Sequence, residues 1–219
     1  MRVLAEEIPF VEPLRAFAAV RDWPAAVLLD SARTDPQMGR WSYVAADPFL
    51  VLSSKDGRIR LGERSLTGDP FAVLQRLLRA SPLDTDPALP PFQTGAVGYL
   101  GYDLCHHLER LPAPETDDLR FPDLLLGLYD TVAAFDLVEQ RAWVMSSGLP
   151  EISPEPRMHR RRARLDRFAR RLAVAPELAE PSPLPAGPVA SGFDAATYEA
   201  MVQRVVDYIL AGDIFQANV

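Results

Sequence analysis

The amino-acid sequence predicts an α+β fold, and three observations lead to this prediction. Segment 49–63 alternates apolar and polar residues around Asp56-Gly57, as a β-hairpin does, because glycine accepts the positive φ of a tight turn. Segments 69–80 and 194–212 instead repeat apolar residues every three or four positions, as amphipathic helices do. A run of strands, then a linker and a new helix–strand unit, is typical of the α+β class.

Short apolar runs rich in β-branched and aromatic residues predict the strands. In the hairpin, Leu50 and Leu52 on one arm and Ile59 and Leu61 on the other form one apolar face. The predicted strands are 27–30, 41–45, the two arms of 49–63, 94–103, and two long strands within 124–147 that join near Glu139-Gln140.

Helix boundaries are marked by capping residues. Asp69 is a predicted N-cap followed by Pro70 at the first helical position. Asp194 is a second predicted N-cap, and Gly212 is placed to end the last helix in a left-handed conformation. Between them, residues 155–174 predict an arginine-rich helix whose apolar side docks and whose arginines form the solvated side. The apolar positions of that docking side are Met158, Leu165, Phe168 and Leu172.

Changes in composition divide the chain into four parts. We predict a sheet domain over 1–150, the arginine-rich helix over 151–175, a proline-rich linker over 176–192 and the start of a further domain over 193–219. The last helix is followed by an extended segment, 213–219, that predicts a strand left without a partner. We therefore expect the sequence to be part of a longer protein.

Composition excludes several classes of function. The net charge of −7 and the pI near 5.0 argue against nucleic acid or an anionic membrane as the partner. Cys105 is the single cysteine, which excludes an internal disulfide and fits the reducing cytoplasm. The acidic, proline-broken start is unlike a signal peptide, and no apolar run approaches the ~20 residues that span a bilayer.

Three local patterns invite a chemical interpretation, and each has a simpler one. Gly95, Gly98 and Gly101 resemble a phosphate-binding loop, but glycines within a strand more often allow close packing of another backbone. The run 105–107, Cys-His-His, lacks the second ligand pair of a metal site. The arginines of 157–171 would suit an acidic partner or nucleic acid, but no set of aromatic residues for base stacking is interleaved with them. The residues alone therefore predict no catalytic constellation.

Five segments taken together resemble a known family. They are 28-LLDSAR-33, 40-RWSYVAADPF-49, 95-GAVGYLGYDLCHHLERLP-112, 122-PDLLLGLYD-130 and 198-YEAMVQRVVDYILAGDIFQANV-219. The sequence is thereby similar to component I of the chorismate-utilising amination enzymes, aminodeoxychorismate synthase and anthranilate synthase. The resemblance implies the N-terminal portion of a four-layer α/β/β/α sandwich with mostly antiparallel sheets.

The resemblance also implies a reaction. Such proteins aminate chorismate with ammonia from a glutamine amidotransferase subunit, and Mg2+ holds the substrate carboxylate. Asp30 replaces the glutamate typical of anthranilate synthases, which favours aminodeoxychorismate synthase. Anthranilate synthase and a non-catalytic binding or regulatory module are the alternatives. The family's catalytic and metal-binding residues follow the segment that ends at Val219, so we assign none here and expect this chain alone to be inactive.

One ligand site of the family matches residues of this chain. Component I proteins often hold tryptophan between their sheets. A serine or aspartate could contact the ligand's amino acid group, whereas Arg40 could equally be the structural partner of a buried carboxylate, and Trp41 could fill the space of the indole. The matching positions are Asp30, Ser31, Met38, Gly39, Arg40 and Trp41.

Overall fold

The computed structural model describes residues 2–112, 116–179, 182–183 and 187–218. It divides into two compact units, Met1–Leu178 and Ala179–Val219. The described part of the first unit contains two five-stranded sheets, and every strand pairing in them is antiparallel. The α+β prediction is confirmed, and the sheets are antiparallel as expected.

The first sheet carries the segments of the candidate ligand site. Its strand order is β1-β10-β9-β3-β2. The strands are β1 Leu4–Ile8, β2 Val27–Leu29, β3 Trp41–Ala45, β9 Thr131–Asp136 and β10 Arg141–Ser146. Two helices, α1 Pro13–Val20 and α3 Pro154–Leu172, pack on one face of this sheet. Val44, Phe135 and Val144 from the strands meet Leu165 and Phe168 of α3 there, and none of the five is more than 1% exposed.

The second sheet contains the predicted hairpin. Its strands follow the order β6-β5-β4-β8-β7, namely β4 Leu50–Lys55, β5 Arg58–Leu61, β6 Arg64–Thr67, β7 Gly95–Leu100 and β8 Leu124–Tyr129. Asp56 and Gly57 have φ values of 48° and 73°, which confirms the turn. Leu52 and Ile59 are fully buried against α2, Pro70–Ala80. Asp69 caps this helix, because its Oδ1 accepts the Phe71 amide at 2.9 Å.

Segment 124–147 contains three strands, so the prediction of two is wrong. The chain leaves the second sheet at Tyr129, passes Asp130 and enters the first sheet at Thr131. Strands β8 and β9 are buried along almost their whole length, so the apolar pattern of the sequence did not show the break between them. Asp130 is 0% exposed and marks the point where one sheet passes into the other.

Helix α3 docks through three of the four predicted apolar positions. Leu165, Phe168 and Leu172 are buried, whereas Met158 is 55% exposed and lies outside the interface. The arginines of α3 do not form only a solvated side, because several of them donate hydrogen bonds to strands and loops of the first unit. Arg157 is only 8% exposed. Among the arginines of 157–171, those that donate to a carboxylate or carbonyl are Arg157, Arg160, Arg162, Arg164, Arg167 and Arg171.

The second unit contains helix α4, Ala195–Ala211. Asp194 caps it by accepting the Thr197 amide at 2.7 Å, and Gly212 ends it with φ of 81°, so both predicted boundaries are confirmed. Residues 213–218 form no strand, which contradicts the extended strand predicted there, and Val219 lies outside the described residues. Parts of the predicted 176–192 linker also lie outside them. No helix in the described ranges has the length and apolarity needed to cross a membrane.

Candidate ligand site on the first sheet

A chain of hydrogen bonds joins the end of β2 to β3. The Ser42 hydroxyl donates to Asp30 Oδ1 at 3.0 Å and accepts the Ser31 amide at 2.9 Å. The Ser31 hydroxyl in turn donates to the carbonyl oxygen of Trp41 at 2.7 Å. These bonds fix Asp30 and Ser31 directly after the short β2 strand, which makes only three paired residues with β3.

Met38 and Gly39 lie in the loop that leads into β3. Backbone hydrogen bonds close this loop in both directions between Asp35 and Gly39, and Asp35 Oδ1 accepts the Met38 amide. A Cβ at Gly39 would lie 1.9 Å from the Arg33 carbonyl oxygen, so no larger residue fits without moving the loop. Met38 directs its side chain into solvent with 94% exposure.

Arg40 forms a two-bond ion pair with a buried carboxylate. Its Nε and Nη2 donate to Asp136 Oδ2 at 2.9 and 2.5 Å, and the Asp136 side chain is 2% exposed. The guanidinium carbon also lies 5.1 Å from the centroid of the Trp41 ring. Arg40 therefore has the geometry of a structural partner, the alternative that the sequence left open.

The six predicted residues do not line one face. Successive residues of a strand point to opposite faces, so Ser42, with Asp30 bound to it, lies on the α1 and α3 side. Trp41 points to the other side, where its ring stacks on Tyr43 at 6.5 Å and meets Trp143 at 6.1 Å. The structure therefore joins Arg40 to Trp41 and Ser31 to Trp41, and separates the Asp30 carboxylate from the aromatic side.

Sequence reasoning missed the residues that hold these groups in place. Ser42 holds Asp30, and Asp136 holds Arg40. Asp136 reaches Arg40 because the register of β3 pairs Trp41 with Asp136 of β9. No local pattern indicates that pairing. Tyr43 could have been found, because it lies two residues after Trp41 and therefore on the same face.

The electrostatics of Asp136 reflect its partners. Burial alone would raise the pKa of this carboxyl, but hydrogen bonds from Arg40 and from the Glu139 and Val138 amides outweigh it. The pKa of Asp136 consequently lies below its ordinary value of 3.8. A depressed folded-state pKa adds stability that is present above the unfolded pKa and is lost as the pH falls through the folded pKa.

We expect the variant Arg40→Gln to be less stable than the parent chain by a constant amount between pH 5 and 8, and the difference to shrink as the pH falls below about 4. The physical reason is that protonated Asp136 no longer attracts Arg40, so both proteins then lack the ion pair. Urea unfolding at stepped pH measures this difference. If the difference in stability between the two proteins stayed the same down to pH 3, Arg40 would instead act through packing on Trp41.

The structure places the three glycines in or beside strand β7 and the Cys-His-His run in a short helix. Gly98 lies within β7, and a Cβ there would be 1.9 Å from the Leu125 carbonyl oxygen of β8, so the close-packing interpretation is confirmed for this glycine. Cys105 and both neighbouring histidines lie in a short 3₁₀ helix, Tyr102–His107. Across the described ranges, no group of three or more His, Cys, Asp or Glu side chains could hold a metal ion.

Comparison with known proteins decides the family. The model of the chorismate binding enzyme family matches residues 25–219, which include β2, β3 and the whole candidate site. The chain belongs to the chorismate binding enzyme family. This confirms the coarser part of the resemblance, a relationship to chorismate-utilising enzymes.

Curated relatives within the chorismate binding enzyme family carry two different names. Aminodeoxychorismate synthase component 1 of Bacillus subtilis (strain 168) is 29% identical over 198 residues, 88% of this chain and 40% of the relative. Anthranilate synthase component 1 of Thermus thermophilus is 35% identical over 196 residues, again 88% and 40%. The chain thus spans about 40% of the length of these relatives.

A solved structure shows the same fold. Anthranilate synthase component I from Streptococcus pneumoniae TIGR4 superposes with a TM-score of 0.57 and 21% identity, over 83% of this chain and 41% of that chain. At this identity the likeness concerns the fold alone. The two antiparallel sheets therefore have the same fold as the matching part of that structure.

Proposed function

We propose that this chain is the N-terminal, non-catalytic portion of an aminodeoxychorismate synthase component I, which aminates chorismate at C4 in 4-aminobenzoate and folate biosynthesis. The observation that carries the proposal is the family match over residues 25–219. Within that match, aspartate at position 30 favours the aminodeoxychorismate enzymes over anthranilate synthases. A cytoplasmic location and a glutamine amidotransferase partner that supplies ammonia belong to the same proposal.

Anthranilate synthase component I is the second candidate. Relatives with that name reach the higher identity, 35% for the Thermus thermophilus protein against 29% for the Bacillus subtilis aminodeoxychorismate synthase. Both candidates use the same substrate and differ in product, so sequence likeness in this portion supports either one.

Product analysis of the complete protein that contains this sequence distinguishes the candidates. With chorismate, ammonium and Mg2+, we expect 4-amino-4-deoxychorismate, detected by mass spectrometry after chromatography. Anthranilate as the product would replace the proposal by the second candidate. If chorismate remained unchanged while a known aminodeoxychorismate synthase converted it in parallel, the non-catalytic binding or regulatory module would be the better account. We propose Mg2+ as the metal of the complete protein, and we assign no residue of this chain to it.

We further propose that the complete protein binds tryptophan beside the aromatic side of β3. The support is that Ser31 and Arg40 both contact Trp41, while Tyr43 and Trp143 extend an apolar surface next to it. Asp30 contributes only through Ser42, since its carboxylate lies on the other face. Met38 and Gly39 contribute the loop that places Arg40.

Calorimetry tests tryptophan binding by the complete protein. We expect a saturable heat with tryptophan and a weaker affinity in the variant Ser31→Ala, which cannot hold the Trp41 backbone through its hydroxyl. Ser65→Ala is the matched control, because it makes the same change at an exposed residue of β6 in the second sheet and should leave the affinity unchanged. Absence of heat with the parent protein would remove the proposal.

A further inference from the structure

Arg157, in the first turn of α3, is a buried cation without an acidic partner among the described residues. It is 8% exposed, and its Nε donates to the Ser147 carbonyl oxygen at 2.8 Å. Its Nη2 is buried and has no hydrogen-bond partner among the described residues. A buried guanidinium with free N–H groups and no countercharge is costly, so such a group calls for a partner.

Arg161 lies one helical turn later and is half-buried. Its Nε is likewise buried and without a partner in the described part of the chain. Residues four apart lie on the same side of a helix, so both guanidinium groups leave α3 from one face. Both also lie against Gly148, where an added Cβ would be 2.5 Å from the Arg157 carbonyl oxygen, 2.9 Å from Arg157 Cγ and 3.1 Å from Arg161 Cβ.

The charges nearby do not neutralise these two arginines. Asp130 is occupied by Arg160 and Arg164, with N–O distances of 3.0 and 3.1 Å. In the described structure, Glu151 and Glu155 form no ion pair with Arg157 or Arg161. The positive end of the α3 dipole adds to the excess, and its N-cap Ser153 makes no side-chain hydrogen bond to it.

We infer that Arg157, Arg161 and the turn at Gly148 bind a small oxyanion, whether an inorganic phosphate or a carboxylate group. An oxyanion supplies acceptors for the unpaired donors and also the missing negative charge, whereas a water molecule supplies only the acceptors. The site lies on the α3 side of the first sheet and is distinct from the aromatic side of β3.

Thermal unfolding and calorimetry of this chain with inorganic phosphate test the inference. Ionic strength is held constant with sodium chloride, and sodium acetate replaces phosphate in a parallel series to represent a carboxylate ligand. We expect saturable binding of at least one of the two anions with a rise in Tm. The variant Arg161→Gln should bind at least about tenfold more weakly, since it loses a charged hydrogen-bond donor.

Arg170→Gln is the matched control, because Arg170 lies on the same helix, is exposed and has no ion pair among the described residues. It should retain the parent affinity.

Should Arg161→Gln fail to fold, Arg161→Lys keeps the charge but loses the Nε donor and should also bind more weakly. The inference fails if neither anion binds, or if loss of affinity is the same at positions 161 and 170. Saturation by phosphate alone would identify an inorganic oxyanion site, and saturation by acetate alone a carboxylate site.

Discussion

Replacing Asp130 by asparagine is expected to lower the free energy of unfolding by about 3–5 kcal/mol. The carboxylate is fully buried where β8 passes into β9, and it accepts bonds from Arg160 at 3.0 Å and from Arg164 at 3.2 Å. Asparagine keeps the size but removes the charge, which takes away the carboxylate that Arg160 pairs with and leaves Arg164 with Asp47 alone. The urea midpoint of purified protein, followed by far-UV circular dichroism, measures the loss.

The matched control for this prediction is Asp166→Asn on the same helix. Asp166 also pairs with an arginine, Arg162, at 3.4 Å, but both side chains are substantially exposed, so water replaces the lost contact. This variant should unfold at the parent midpoint. Equal loss in the two variants would contradict a special role of Asp130 at the junction of the sheets.

Introducing alanine at Gly98 is expected to cost about 3 kcal/mol or more, because the added methyl meets backbone and not a movable side chain. The new Cβ would lie 1.9 Å from the Leu125 carbonyl oxygen and 2.9 Å from the Leu126 Cα. β7 must therefore separate from β8 at this point, and the hydrogen bonds between the strands weaken. Hydrogen exchange of the β7 amides and the urea midpoint both report this change.

Gly192→Ala is the control for the methyl group itself. An added Cβ at Gly192 meets no atom within 4 Å, and this position should tolerate alanine without loss of stability. An unchanged midpoint for Gly98→Ala would show that β7 and β8 can separate without cost, and would remove the structural explanation for this glycine.

Local patterns predicted the elements whose signals lie within a few residues. The Asp56-Gly57 turn and the caps at Asp69 and Asp194 each depend on side chains adjacent to the feature they determine. Strand β1 was missed because two glutamates interrupt its apolar pattern, and helix α1 was missed because its 8 residues are too few to show a helical period. Glu6 and Glu7 of β1 are nevertheless compatible with the sheet, since they pair with Arg162 and Arg141 from distant parts of the chain.

Long-range pairing explains what the sequence did not predict about the site. The six family-matched positions are close along the chain, yet the alternation of β3 places the Asp30 carboxylate and the Trp41 ring on opposite faces. The Asp136 partner of Arg40 is 96 residues away. Likewise, the passage of the chain between sheets at Asp130 depends on arginines contributed by α3, which no pattern within 124–147 contains.

Chorismate turnover by the purified 219-residue chain tests the central claim most directly. With ammonium and Mg2+ in excess, we expect no product above background and no loss of chorismate, while the complete protein assayed in parallel forms an aminated product. The reason is that the chain spans about 40% of the length of the relatives that it matches. Steady conversion of chorismate by the chain alone would contradict the account.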